Sequence, residues 1–170
     1  MLTQSEFQRL QVNPAAFRDR LQISAAGRVS AFSKVMADFQ RMDFAALDVA
    51  FKALVRGQRP EPKSRFWVER TKGASKDTDL ASLVLWLLAF SPNSCPQMIQ
   101  VAAAKQDQAA ELRKAVLDML RWNRWLNELV EVQTTAIVSR MTGSRCEIIT
   151  ADATGSHGAR PTLLVLNELT

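Results

Sequence analysis

Nine consecutive residues, Arg70-Thr71-Lys72-Gly73-Ala74-Ser75-Lys76-Asp77-Thr78, have the composition of a loop that holds phosphate. Binding a phosphate chain needs consecutive backbone N–H groups at a helix N-terminus, a glycine that lets the chain approach the oxygens, and a lysine to meet the β and γ oxygens. Gly73, Lys76 and a helix expected from about Thr78 supply those parts. The spacing is a loose form of G-x-x-x-x-G-K-[ST]: Arg70 stands at the first glycine, Ser75 at the second, and Asp77 where a hydroxyl would meet Mg2+. The same residues also read as a solvated loop in which Asp77 or Thr78 caps a helix.

Two further places invite chemistry. Leu163-Leu164-Val165-Leu166 runs into Asn167 and Glu168. Nucleotide hydrolases place a metal-associated Asp and a water-polarising Glu at the end of such a strand, although here the first position is an amide, and a plain core strand before a polar turn has the same look. The stretch Ala103 to Ala109, with Lys105, Gln106 and Asp107, is a strand-to-helix turn whose polar side chains either face phosphates or DNA or cap the helix.

Strands and helices have to bring these places together. From Ser24 to Val55 apolar residues recur at mixed three and four spacings, which predicts one or two amphipathic helices. Gly57 suits a C-cap and QRPEP (58–62) cannot continue a helix, so a boundary falls near residue 60: a basic helical arm, 1–60, and a second part, 61–170. After Pro62, Phe66-Trp67-Val68 reads as a short buried strand, Thr78 to Phe90 as a helix, Met98 to Ala103 as a strand and Gln106 to Asn123 as a helix. A strand pair is expected between Val130 and Ile149, joined through Thr142-Gly143-Ser144, and an apolar strand over Thr162 to Leu166. Strands separated by helices predict an α/β fold with a mostly parallel sheet covered on both faces. In such a sheet ligands sit beyond the carboxyl ends of the strands, where all three places fall.

In this order and setting the motifs resemble the ATPase domain of the phage terminase large subunit, the motor that packages DNA into procapsids. The likeness rests on WVERTKGASKDTDLASLVLW (67–86), VAAAKQDQAAELR (101–113), LRWNRWL (120–126), TGSRCEIITADATGSHGARP (142–161) and LLVLNELT (163–170), with DFAALDVAFKALVRG (43–57) upstream, and covers about residues 40–170. It implies an incomplete RecA-like P-loop ATPase core behind the arm, with ATP and Mg2+ as ligands. Lys76 matches the phosphate-contacting lysine, Gly73, Ser75 and Thr78 the loop and helix start around the phosphates, Arg70 and Lys72 the basic run with which such loops begin, and Glu168 the catalytic glutamate. Asp77 and Asn167 depart from the family, which uses a hydroxyl at the first and a carboxylate at the second for Mg2+. Either Asp77 supplies the missing carboxylate, or the exchange weakens binding and slows or abolishes hydrolysis, because an acid beside a triphosphate repels it and Asn is a poor metal ligand. The resemblance further implies double-stranded DNA as partner, the small terminase subunit and the portal protein beside it, and a homo-oligomer in a full-length context. Because the chain stops two residues after Glu168, a truncated prophage fragment without the nuclease domain is the expectation.

Composition sets the outer bounds. With 170 residues, 47% hydrophobic and 23% charged, the chain is neither fibrous nor disordered. The net charge of +5 favours polyanionic partners, and all of it lies before Phe66: residues 1–65 hold 11 basic and 6 acidic side chains. Arg56, Arg59, Lys63 and Arg65 lead toward the loop and offer a DNA contact. Cys95 and Cys146 form no disulfide framework. Leu80 to Phe90 is an apolar run of 11 residues, short of the roughly 18 that a membrane helix needs, and the start MLTQSEFQRL has no signal segment, so the host cytoplasm is the expected location. His157 reads as a loop histidine, and Trp122 and Trp125 as core aromatics in preference to base-stacking ones. Another RecA-like nucleic-acid ATPase, or a non-enzymatic basic binding remnant, are the competing readings.

Overall fold

The computed structural model describes residues 2–25, 27–62, 64–71, 73–103, 106–150 and 160–167. Helix α1 (Gln4–Val12) opens with a capping box between Thr3 and Glu6, and α2 (Pro14–Arg20) with Asn13 accepting from the amides of Ala15 and Ala16 and proline in its first turn. A hairpin of β1 (Gln22–Ala25) and β2 (Arg28–Ala31) follows, turning at Gly27 with φ +75°, then a single turn, α3 (Phe32–Val35), and α4 (Asp38–Val55). The helical reading of residues 24–55 therefore holds for α4 and the single turn α3, and fails for the hairpin before them. Val29, Phe32 and Val35 mimic helical spacing, but Phe32 alone enters the core while Val29 and Val35 stay exposed. Helix α4 ends as its sequence predicts: Gly57, at φ +69°, donates to Leu54 O and Gln58 to Ala53 O, a Schellman closure.

The expected strand at Phe66-Trp67-Val68 is absent. Residues 64–71 have no regular structure, and Trp67 is 90% exposed. A three-residue apolar run becomes a strand only when a neighbour takes its backbone hydrogen bonds, and no described strand lies alongside it. Helix α5 (Lys76–Phe90) then runs through the middle of the molecule, with every residue from Ala81 to Phe90 buried.

After α5 come β3 (Met98–Ala103), α6 (Gln106–Trp122), a 3₁₀ turn (Arg124–Glu128), β4 (Val130–Val132), β5 (Ala136–Ser139), β6 (Arg145–Thr150) and β7 (Leu163–Asn167). The sheet order is β4-β5-β6-β3-β7. It is mixed: β3 lies parallel between β6 and β7, while β4, β5 and β6 are antiparallel neighbours. Leu163 and Val165 of β7 pack on the core, but Leu164 and Leu166 are half exposed, so this edge strand is not covered on both faces.

One apolar core joins the arm to the sheet, running from Leu10, Phe17, Phe32 and Phe44 through Trp86 and Phe90 to Val101, Leu112 and Ile137. Arg18 of α2 is buried against Asp48 of α4 in a two-pronged pair, and its guanidinium lies over the Phe44 ring. Both cysteines are free, and burial pushes the Cys146 thiol up to about 12. Among the described residues no helix is long and apolar enough to cross a membrane.

Candidate functional site

Three parallel strands end at one edge of the sheet. Register places Ala103, the last residue of β3, level with Thr150 of β6 on one side and Asn167 of β7 on the other. Helix α5 begins over this edge. Asn167 Nδ2 donates to Asp77 Oδ1 at 3.4 Å, so two residues 90 positions apart that were expected to share a metal do meet.

The loop before α5 turns through two left-handed residues, Gly73 at φ +82° and Ser75 at φ +58°. Glycine adopts this conformation without strain, and no atom lies within 4 Å of where a Cβ on Gly73 would sit. Ala74 N donates to Thr71 O at 3.1 Å, which closes the turn. The helix starts at Lys76, two residues earlier than its sequence suggests, and the Ser75 side chain makes no cap bond. Its first internal bond runs from Asp79 N to Ser75 O at 3.0 Å, so the helical ladder itself makes no use of the amides of Lys76, Asp77 and Thr78. Those amides and the positive end of a 15-residue helix are the parts that an anion-binding end requires. Asp77 and Asp79 lie in the same turn and bring negative charge to it.

Arg70 turns away from this end. Its side chain is 8% exposed. Nη1 donates to Ala74 O at 3.2 Å and to Asp79 Oδ2 at 2.9 Å, Nη2 donates to Asp43 Oδ2 at 2.5 Å, and the guanidinium lies 4.6 Å from the centre of the Phe39 ring. Gln40 Nε2 donates to the other oxygen of Asp79 at 2.6 Å. Burial pushes the Asp79 carboxyl up to about 6, against the pull of Gln40 and Arg70, and the neighbouring Asp43 charge pushes the same way as burial.

Gly73, Ser75, Lys76, Asp77, Thr78 and Asn167 thus converge on one place, with Lys76, Asp77 and Thr78 half-buried. Arg70 borders it from behind. Lys72 and Glu168 lie outside the described residues, as do Lys63, Lys105 and His157 and the side chains of Gln106 and Asp107. Gln40, Asp43 and Asp79 are not singled out by the sequence; the only signal is the position of Asp79 in the first turn of a helix. Trp125 is a packed aromatic, edge-on to Phe17, while Trp122 is 41% exposed. Arg56, Arg59 and Arg65 are solvent-exposed. A solvent-open hollow of about 380 Å³ lies elsewhere, between Gln11, Arg56, Trp86 and Cys95, by the C-terminal half of α5.

Among the described residues no group of three or more His, Cys, Asp or Glu is placed to hold a metal. Asp77 offers one carboxylate and Asn167 one amide oxygen. That suits Mg2+ arriving with a polyphosphate, since Mg2+ takes one or two protein carboxylates and fills its shell with phosphate oxygens and water.

A family model described as terminase large subunit, ATPase domain, matches residues 54–170. The structure is similar to the crystal structure of the HK97 bacteriophage large terminase, with a TM-score of 0.67 and 20% sequence identity over 97% of this chain and 31% of that one. The chain therefore spans less than a third of the length of that protein, and at this identity the likeness shows the fold. No curated protein matches the chain.

Proposed function

The chain belongs to the terminase large subunit ATPase-domain family, and from that premise we propose that residues 73–78 hold the triphosphate of ATP. The observation that supports this most is the left-handed turn at Gly73 and Ser75, which leads into the start of α5 directly over the carboxyl ends of the strands. Backbone amides of Lys76, Asp77 and Thr78 meet phosphate oxygens, Lys76 supplies positive charge, and Lys72 extends it from the loop. Mg2+ bound with ATP neutralises phosphate charge, and Asp77, steadied by the Asn167 amide, is the carboxylate that would hold it. Glu168, next along from Asn167, is the proposed water-polarising base.

The module serves as the nucleotide-binding part of a viral DNA-packaging motor in the cytoplasm of the host. Residues 61–170 contribute the nucleotide site and residues 1–60 a basic arm. Its partners are double-stranded DNA, contacted by Arg56, Arg59 and Arg65, the small terminase subunit, the portal protein and further copies of the chain. Hydrolysis is slow, because Asp77 places a negative charge where a hydroxyl would meet the metal and Asn167 brings no carboxylate of its own.

Titration with Mg·ATP tests the reading. Binding at micromolar to millimolar nucleotide is expected in the wild type and is lost in Lys76→Ala. Asp77→Ala is expected to abolish the dependence of that binding on Mg2+; unchanged Mg2+ dependence would remove Asp77 from the metal. No binding by the wild type at millimolar ATP defeats the proposal as a whole.

A further inference from the structure

Building on the reading of residues 73–78 as a triphosphate loop, we propose that Arg70 is a positioning residue rather than a phosphate contact: it clamps the loop and the first turn of α5 onto α4, so that the arm sets the shape of the nucleotide site. Each end of the clamp is visible. Through Nη1 the guanidinium holds the loop carbonyl of Ala74 and the Asp79 carboxylate of α5, and through Nη2 it holds Asp43 of α4. Phe39, one turn before Asp43 on α4, packs on its flat face. Gln40, also on α4, grips the second oxygen of Asp79, so α4 reaches the first turn of α5 twice, once through Arg70 and once directly.

A planar fork suits this task and a phosphate contact does not. Arg presents donors in fixed directions that match carboxylates and carbonyls together, and here both terminal nitrogens are engaged. Swinging out to a phosphate would strand Asp43 and Asp79 without their cation, and Asp79 is buried. One guanidinium between two carboxylates also leaves the cluster negative, which gives it no attraction for a triphosphate. The carbonyl of Ala74 lies between the two left-handed residues, Gly73 and Ser75. Fixing that carbonyl holds the turn in the shape that directs the following amides toward an anion.

The two roles differ in what happens when Asp43 is neutralised. Asp43 is 37% exposed at its side chain, so Asp43→Asn is a mild change to the fold. With Arg70 as a clamp, Arg70→Gln and Asp43→Asn each weaken Mg·ATP binding by about tenfold, a free-energy loss of about 1.4 kcal/mol. The double variant is then no weaker than the weaker single one, and Arg70→Lys, which keeps the charge without the fork, does not rescue. With Arg70 on the phosphate, Asp43→Asn frees it and leaves binding unchanged or tighter; that result, or fully additive losses, overturns the clamp. Hydrogen exchange of the nucleotide-free full chain gives an answer independent of ATP. The amides of 74–79 are expected to exchange faster in Arg70→Gln and in Asp43→Asn while β3 amides do not change, and equal exchange in all three proteins overturns the clamp. Should the wild type not bind Mg·ATP, the nucleotide reading fails and the exchange result alone decides whether Arg70 clamps the loop.

Discussion

If residues 73–78 hold the triphosphate as proposed, Asn167 and Asp77 are two departures from the family pattern that fit each other. A carboxylate on the strand and a hydroxyl on the helix, or an amide on the strand and a carboxylate on the helix, each leave a single acid at the meeting point. Asn167 Nδ2 donates to Asp77 Oδ1; an Asp at 167 would set two like charges against each other. Asn167→Asp is therefore expected to lower stability by about 1 kcal/mol without a divalent ion, a fall of roughly 2–4 °C in melting temperature, and to regain it in millimolar Mg2+ by mass action on a two-carboxylate site. A melting temperature indifferent to Mg2+ in this variant would show that the two side chains cannot share a metal. Asp79, two residues on, makes a second prediction. Its folded-state pKa, about 6, lies above its ordinary value of 3.8, so the folded chain takes up this proton more readily than the unfolded one. The stabilisation from that uptake is complete below pH 3.8 and is lost as pH rises through about 6, an effect on the order of 3 kcal/mol at about 1.4 kcal/mol per unit. Comparing urea unfolding of the wild type and Asp79→Asn from pH 4 to 7 isolates it: the stability of the wild type should fall relative to the variant across that window. A constant difference would contradict the buried, proton-hungry state of Asp79.

Strands and helices with strong local signals were the most legible elements. β3 occupies the expected residues, α6 begins where its alanine and leucine spacing begins, and Gly57 closes α4 as its position suggests. These signals are local: periodicity and caps are read within a few residues. The β1–β2 hairpin was hidden because Val29, Phe32 and Val35 repeat every three residues without sharing a face of anything. Phe66-Trp67-Val68 looks like a strand and is not one for the opposite reason, since a strand is defined by a partner that a short run cannot name. The loop before α5 is intermediate. A glycine turn at Gly73 is legible in the sequence, whereas the left-handed Ser75 and the earlier helix start are not. Gly73→Ala tests whether the turn matters beyond stability. The added methyl meets no atom, so only the positive φ resists it, at about 1 kcal/mol. Gly143, at φ +71° between β5 and β6, faces equally open space and is the matched control. Both alanine variants should lower the urea midpoint alike, while Gly73→Ala alone weakens Mg·ATP binding. Equal nucleotide affinity in the two would reduce the turn to ordinary chain reversal.

At the scale of the whole molecule, the division at residue 60 marks a change in charge and texture, whereas the packing runs straight across it. Trp86 Nε1 donates to Leu10 O, Gln11 Nε2 to Phe90 O, and Asn123 exchanges two hydrogen bonds with the backbone of Gln22. Phe17 of the arm stands edge-on to both Phe90 and Trp125, with centroid distances of 5.7 and 6.1 Å, and is completely buried. No spacing within the first 60 residues announces these contacts, because each joins residues about 70 to 110 positions apart that only the finished fold brings together. For the same reason Asp43 and Gln40 could not be tied to Arg70 and Asp79 beforehand. A core shared in this way implies that the arm cannot melt by itself. Phe17→Ala removes a ring that packs against Phe90 of α5 and Trp125 of the 3₁₀ turn and is expected to cost about 3–5 kcal/mol, lowering the melting temperature by roughly 6–20 °C. Because the void left by Phe17→Ala lies where the arm, α5 and the 3₁₀ turn meet, unfolding should stay a single transition, with tryptophan fluorescence and far-UV circular dichroism falling together. If instead the helical signal of the arm were lost first while the tryptophans kept their native emission, the arm would be an independent unit, and the route by which α4 shapes the loop through Arg70 would have no rigid base to act from.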